Sequence, residues 1–167
     1  MSNGFFVRGA IAVDELYMDD VTIYGIGLID AYEAESKQAK YPRIILTESA
    51  EVMFREIDKG FQTQNFDNYT SHNYLSRYLN RDCDGLFFLN YLESINIADN
   101  PFLEVLEQHK TVIEDRLKKY HDESDILEKY VWAANYHNWF CNHDNNNEYR
   151  IDLTQYQMQS SIVRRMC

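Results

Sequence analysis

Residues 5–47 read FFVRGAIAVDELYMDDVTIYGIGLIDAYEAESKQAKYPRIILT, and their pattern of apolar and polar residues predicts the first strands and the first helix. It begins with a run of apolar and small residues over 5–13, which is typical of a strand buried on both faces. Asp19 and Asp20 follow in a polar stretch, and residues 21–24 form a second, β-branched run. Two such runs around a polar turn predict a β-hairpin. We therefore interpret the two aspartates as a turn rather than as metal ligands.

Helices and strands alternate after this hairpin. Apolar residues at helical spacing predict a helix over residues 28–39, and Pro42 ends it. Residues 43–47 then predict a strand. A further helix is predicted over residues 50–59, with Ser49 as its N-cap.

The remainder of the chain begins with a polar stretch. Residues 61–84 are rich in Asn, Gln, Tyr and Ser, which predicts a loop with a short helix around residues 74–79. The later predicted elements are a strand over 85–92, a helix over 101–120 with Pro101 in its first turn, a helix over 126–140 and a short strand over 149–153.

This order of elements predicts an α/β fold, an α+β sandwich in which helices cover a mixed sheet with one hairpin. We divide the chain into a core over residues 1–60 and a polar loop over 61–84. Residues 85–153 are expected to add a strand and a two-helix C-terminal extension that packs on the same domain. Residues 154–167 are a polar tail.

Composition restricts the classes of partner. The chain has 167 residues with 16 Lys+Arg and 27 Asp+Glu, for a net charge of −11. Such an acidic chain is unsuited to sequence-independent nucleic-acid binding, which needs cations at the phosphates. No apolar run approaches the roughly 20 residues that span a bilayer, and the N-terminus lacks a signal-peptide pattern. Cys83, Cys141 and Cys167 form an odd, unpatterned set, which favours a reducing compartment over a disulfide framework. We expect a cytoplasmic domain.

Three spaced motifs in the first third resemble a known family. They are RGAIAV at residues 8–13, GxxLxxAYExE at 25–35 and YPRI at 41–44. Together with the hairpin they resemble the second half of a class III nucleotidyl (adenylate/guanylate) cyclase homology domain. The chain looks still more like a large, mostly uncharacterised bacterial cyclase-like subfamily with that fold. The clear match covers residues 5–58, and the helix over 129–136 is also similar to that subfamily. The resemblance implies a truncated, ferredoxin-like cyclase fold.

The same resemblance implies that the nucleotide site is degenerate. The family's metal-binding aspartates precede the matching segment, so we expect this chain to lack them. Alignment to the family's helix pattern puts Ile29 at the ribose-orienting Asn position and Glu33 at the phosphate-stabilising Arg position. Ile26 falls at the base-selecting Asp position, and Asp14 replaces a usual glycine on the hairpin. Isoleucine forms no hydrogen bond to ribose, and carboxylates repel a triphosphate.

These substitutions favour a non-catalytic, truncated cyclase-like domain that acts through association. The expected partner is a second copy, forming a dimer, or a fuller cyclase-like homologue. We expect no catalytic, cofactor-binding or metal-binding residues in the chain itself, and Mg²⁺ or Mn²⁺ only where a partner completes the site. One alternative is half of a composite nucleotidyl cyclase, a phosphorus–oxygen lyase whose metal aspartates come from another chain. A second alternative is a protein-binding α/β module unrelated to nucleotides.

Two patterns of charged residues have structural interpretations. Arg8 interrupts an apolar strand, so we predict that it is buried and paired with Glu33 or Glu35. Asp82-x-Asp84-Gly85 resembles the start of a calcium loop, but the apolar residues that follow supply no oxygen ligands. We predict a turn before a strand there.

The last long helix carries two further patterns. His137, Cys141 and His143 have a spacing compatible with a transition metal, but no fourth ligand lies at a familiar spacing. We predict Cys141 as a small core residue and His143 as a solvated one. An aromatic stripe on the same helix is predicted to pack against a sheet or a partner, with base stacking as the alternative; its members are Trp132, Tyr136, Trp139 and Phe140.

Overall fold

The computed structural model describes residues 6–63, 77–97, 102–143 and 145–156. The chain divides into two compact units. One unit spans Val7–Glu93, and the other contains Phe6 and the residues from Ser94 onward.

The first unit contains all the strands found in the described residues. Its elements are β1 (Gly9–Ile11), β2 (Tyr17–Met18), β3 (Ile23–Tyr24), α1 (Ile26–Lys37), β4 (Ile44–Leu46), α2 (Glu48–Thr63), β5 (Leu79–Arg81), β6 (Phe87–Leu89) and the start of α3 (Tyr91–Ile97).

Four of these strands form a mixed sheet in the order β1-β4-β6-β5. β1 runs parallel to β4, with Gly9 opposite Ile44, and the crossover between them contains α1. β6 runs antiparallel to both β4 and β5. β2 and β3 form a separate antiparallel hairpin. The predicted α/β class, with a mixed sheet and one hairpin, is confirmed at this level.

The core of the sheet is apolar. Ile45, Leu46 and Phe88 are buried in the centre of the sheet, and Ala34 of α1 and Ala50 of α2 are buried with them. The strands are shorter than the sequence predicts, because only three residues of each enter the hydrogen-bonded ladder.

A buried cationic residue holds the turn between β5 and β6. The guanidinium of Arg43 is fully buried and forms salt bridges to Asp82 and Asp84. It also lies 5.4 Å from the ring centroid of Tyr41 and 5.8 Å from that of Phe88. Asp82 and Asp84 therefore belong to a structural turn, as the sequence predicts, and their carboxylates bind an arginine.

β5 lies inside the stretch that the sequence predicts as a loop with a short helix. Leu79, Asn80 and Arg81 pair with Leu89, Phe88 and Phe87 across the sheet. An edge strand tolerates polar side chains because one of its edges faces solvent. The polar composition around β5 therefore led to the prediction of a loop where the structure has a strand.

α2 begins two residues before the predicted start. The carbonyl of Thr47 accepts a hydrogen bond from the amide of Glu51 at 2.9 Å, and its hydroxyl lies 3.4 Å from the amide of Ala50. Thr47 is therefore the cap. Ser49 lies inside the helix, where its hydroxyl accepts a hydrogen bond from the amide of Val13 at 3.1 Å.

The second unit is helical in the described residues. α4 (Phe102–Lys119) packs against α5 (Ser124–His143), and two 3₁₀ turns follow at Asn147–Tyr149 and Thr154–Tyr156. The core between the helices includes Leu106, Ile113, Leu117, Leu127 and Val131.

The predicted strand over residues 149–153 is wrong. The backbone of Ile151 pairs with a side chain: the Ile151 amide donates to Oδ1 of Asn138 at 2.7 Å, and Nδ2 of Asn138 donates to the Ile151 carbonyl at 2.9 Å. The carboxamide of a helical residue thus replaces the neighbouring strand that the sequence pattern suggests.

Candidate functional site: an apolar interaction surface

The hairpin is built from large apolar residues that remain exposed. All four strand residues are large and apolar, and each is about half or more exposed. Tyr17 stands opposite Tyr24 with their rings stacked at 4.8 Å, and Met18 stands opposite Ile23. A two-stranded hairpin is marginally stable in water unless a sheet or helix covers one face. The exposed side chains thus leave this hairpin short of the cover that a stable hairpin needs.

Asp19 fixes the tip of the hairpin. Its Oδ1 accepts hydrogen bonds from the amides of Val21 at 2.9 Å and Thr22 at 2.8 Å, and its Oδ2 accepts one from the Tyr17 hydroxyl at 2.8 Å. These bonds hold the pKa of the Asp19 carboxyl below its usual value, and the hydrogen bond from the Val21 amide has the largest effect. The predicted turn is therefore present, and it holds Val21 at a fixed position on the tip, 92% exposed.

Gly25 joins the hairpin to α1. Its φ is 154°, and a Cβ at this position would lie 2.3 Å from the Glu15 carbonyl oxygen. The amide of Gly27 donates to the same carbonyl at 3.3 Å. The first turn of α1 therefore packs directly on the backbone that precedes β2, which sets where the hairpin leaves the helix.

α1 packs with its small residues inward and its large ones outward. Ala34 is buried, and the helix contacts β1, whereas Ile26, Leu28, Ile29 and Tyr32 are 40–70% exposed. A helix that only has to cover a sheet places its large apolar residues on the buried side. The large apolar side chains of α1 are therefore left uncovered within their own unit.

We call the exposed apolar residues of the hairpin and α1 the hairpin–helix surface. Its members are Leu16, Tyr17, Met18, Val21, Ile23, Tyr24, Ile26, Leu28, Ile29 and Tyr32. Their exposures range from 40% to 92%. Successive strand residues point to opposite faces, so the Tyr17–Tyr24 pair and the Met18–Ile23 pair lie on the two sides of the hairpin.

Two of the four positions that the resemblance aligns with a nucleotide site belong to this surface. Ile26 and Ile29 are members of it, and Glu33, one turn further along α1, forms a salt bridge with Lys37 at 2.8 Å. Asp14 is exposed, and its Oδ1 accepts a hydrogen bond from the amide of Glu15 at 2.7 Å. Two isoleucine side chains and two carboxylates therefore occupy the four aligned positions.

Arg8 pairs with Glu35 and not with Glu33. Its side chain is 44% exposed, so the expectation that it is buried is wrong. Arg8 immediately precedes β1, which is an edge strand of the sheet.

The histidines of α5 do not form the spacing-based metal set. His137 contacts His109 of α4 and the thiol of Cys141, whereas His143 is exposed and its ring lies 4.6 Å from that of Trp139. Within the described residues, no three His, Cys, Asp or Glu side chains gather in an arrangement that could hold a metal ion. The sequence could not identify His109 as the partner, because it lies 28 residues away on another helix.

Of the two cysteines in the described part of the chain, one agrees with the sequence-based expectation and one differs from it. Cys141 is free and buried, as predicted for a core residue. Cys83 is disulfide-bonded, so the preference for unpaired thiols is wrong at this position.

The aromatic stripe packs along α5. The rings of Trp132 and Tyr136 are stacked at 5.6 Å, those of Tyr136 and Trp139 at 6.2 Å, and Phe140 contacts Phe102 of α4. Trp132, Tyr136 and Phe140 are buried, which fits a role in packing.

Among the helices of the described part of the chain, none has the length and apolarity needed to cross a membrane. Comparisons with protein-family models, with curated proteins and with solved structures found no match to this chain.

Proposed function

We propose that this chain is a non-catalytic domain of the nucleotidyl cyclase type that acts by associating through its hairpin–helix surface. The observation that carries the proposal is the run of ten large apolar residues exposed between Leu16 and Tyr32. Burying such a surface supplies about 25 cal/mol for each Å², enough to drive association once its entropic cost is met. The partner we propose is a second copy of this chain, with a fuller cyclase-like homologue as the other candidate of the same fold.

The arrangement of the first unit supports the cyclase assignment. The motifs that resemble the cyclase family fall on β1, on α1 and on the segment leading into β4. These elements follow the order strand, hairpin, helix, strand, and β1 and β4 pair in parallel. The resemblance implies the same order.

The chemistry at α1 supports a non-catalytic role. Ile26 and Ile29 offer no hydrogen bond to a base or a ribose. Glu33 and Asp14 are carboxylates, which oppose the charge of a triphosphate, and Lys37 is already paired with Glu33. What this helix offers a partner is apolar contact.

The proposal is tested by sedimentation velocity across a concentration series. We expect the wild-type protein to self-associate, and the double variant Val21→Ser/Tyr32→Ser to raise the dissociation constant at least tenfold. Leu103→Ser is the matched control, since Leu103 is also apolar and 46% exposed but belongs to α4 of the other unit. A wild-type protein that is monomeric at about 100 μM, which corresponds to less than about 5.5 kcal/mol of association, contradicts the proposed self-association.

The non-catalytic part is tested separately. Purified protein is incubated with Mn²⁺ and each nucleoside triphosphate, and pyrophosphate and cyclic nucleotide are measured. We expect neither product. Formation of a cyclic nucleotide that Glu33→Ala or Ile29→Asn alters would instead establish an active site on α1.

A further inference from the structure

The second unit contains a buried pair of histidines that the proposed function does not use. Nδ1 of His109 on α4 lies 2.9 Å from Nδ1 of His137 on α5, and the side chains are 2% and 0% exposed. Nε2 of His137 lies 2.9 Å from the carbonyl oxygen of Tyr149 in the 3₁₀ turn. One chain of hydrogen bonds thus connects both helices and the turn that follows them.

The partners determine where the protons lie. The Tyr149 carbonyl only accepts, so Nε2 of His137 must carry a hydrogen and donate it. In the neutral ring, Nδ1 of His137 is then an acceptor, and Nδ1 of His109 must be the donor. The hydrogen bonds are therefore satisfied when both imidazoles are neutral. When both rings are protonated, two N–H groups face each other at 2.9 Å and this hydrogen bond is lost.

We propose that the His109–His137 pair is an acid-sensitive latch, which holds α4, α5 and the turn at Asn147–Tyr149 together while both rings are neutral and releases them on acidification.

The surroundings of the pair disfavour a positive charge. Groups near the pair include the Cys141 thiol, 3.5 Å from Nε2 of His137, the ring of Phe6, 5.6 Å from that of His109, and two cations, the ammonium of Lys110 and the chain's N-terminal amino group. Burial, and then the neighbouring His137, lowers the pKa of His109 to about 3. Burial, with Lys110 adding to it, lowers the pKa of His137 to about 4.

The direction of the effect follows from these pKa values. Unfolded histidines take up protons near pH 6.5, whereas the folded pair stays neutral down to about pH 4. The stabilisation is therefore complete above about pH 6.5 and is lost as the pH falls toward 4. Between pH 7.5 and 5.0 the opening equilibrium constant rises roughly 30-fold for each histidine that is protonated only in the open form.

The position of the tryptophans makes this measurable in the intact chain. Both tryptophans, Trp132 and Trp139, lie on α5, so intrinsic fluorescence reports the second unit alone. We expect the urea midpoint followed by fluorescence to fall clearly between pH 7.5 and 5.0. His109→Asn/His137→Gln, with amides that do not titrate, should lose most of this shift. His121→Asn is the control, since His121 lies in the second unit but is exposed to solvent, and it should keep the wild-type shift.

A wild-type midpoint that is the same at both pH values, or a full shift in the double variant, would overturn the proposal. If the double variant does not fold, proton NMR of the histidine rings in the wild-type protein decides the matter. We expect two histidine rings to remain neutral at pH 5 in the folded protein. Titration of all five histidines near pH 6.5 in the folded protein would exclude the latch.

Discussion

Arg43 is the residue on which the turn between β5 and β6 depends. Its side chain is fully buried, and its charge is balanced by Asp82 and Asp84, one of which is itself buried. A buried ion pair contributes little compared with an apolar replacement of the whole group, but removal of one partner leaves an uncompensated charge in the core. Arg43 is therefore important because its removal would leave the carboxylates of Asp82 and Asp84 without a counter-ion.

We expect Arg43→Met to lower the free energy of unfolding by about 3–5 kcal/mol, because both carboxylates lose their counter-ion. Arg55→Met is the control, since Arg55 is exposed and pairs only with Glu51, and it should change the stability by less than about 0.5 kcal/mol. Urea denaturation followed by circular dichroism measures both variants. Equal effects of the two substitutions would show that the buried cluster has no special role.

Helices and strands of this fold were predictable where burial of one face determines the spacing of apolar side chains. The hairpin, α1, β4 and the two long helices follow from their apolar periodicity. β5 was not predictable, because its pairing with β6 lies outside its own sequence. The prediction of a strand around Ile151 was wrong for a related reason, since its hydrogen-bond partner is the side chain of Asn138 on a helix.

The candidate surface was predictable only in part. The sequence suggests association, and the structure shows that the hairpin residues are exposed. Which face of α1 points outward depends on how its small residues meet β1, and this is set by tertiary packing. The same reason explains why neither the Arg43 cluster nor the His109–His137 pair could be identified from spacing along the chain.

Gly25, at the junction between the hairpin and α1, determines how these two elements are placed relative to each other. Gly25→Ala would bring a Cβ to within 2.3 Å of the Glu15 carbonyl at a positive φ, so the hairpin must shift relative to α1. We expect a loss of more than about 1 kcal/mol in stability, together with weaker self-association. Gly9→Ala is the control, because its nearest neighbour, Ile44, lies at an ordinary 3.9 Å. Sedimentation and urea denaturation of both variants test the prediction, and unchanged association in Gly25→Ala would refute it.

Net charge opposes association at the scale of the whole molecule. Each copy carries −11 at pH 7, so two copies repel each other while their apolar surfaces attract. The range of this repulsion falls from about 30 Å at 0.01 M salt to about 8 Å at 0.15 M.

We therefore expect the dissociation constant of the self-associated form to fall severalfold when NaCl is raised from about 0.01 M to 0.15 M, because screening removes repulsion and leaves apolar contact unchanged. Sedimentation velocity of the wild-type protein at both salt concentrations measures this. Val21→Ser/Tyr32→Ser keeps the same net charge, so its weaker association should strengthen by a similar factor. Weaker association at higher salt would mean that attractive ion pairs, and not apolar contact, hold the copies together.

The reversed packing of α1 separates two kinds of constraint on one helix. Its inward positions, including Ala34, must stay small because they set the distance between helix and sheet. Its outward positions at Ile26, Ile29 and Tyr32 have few contacts within their own unit to preserve. A lineage could therefore exchange one partner for another by changing the outward side chains alone, while the unit keeps the stability and shape that its inward side chains provide.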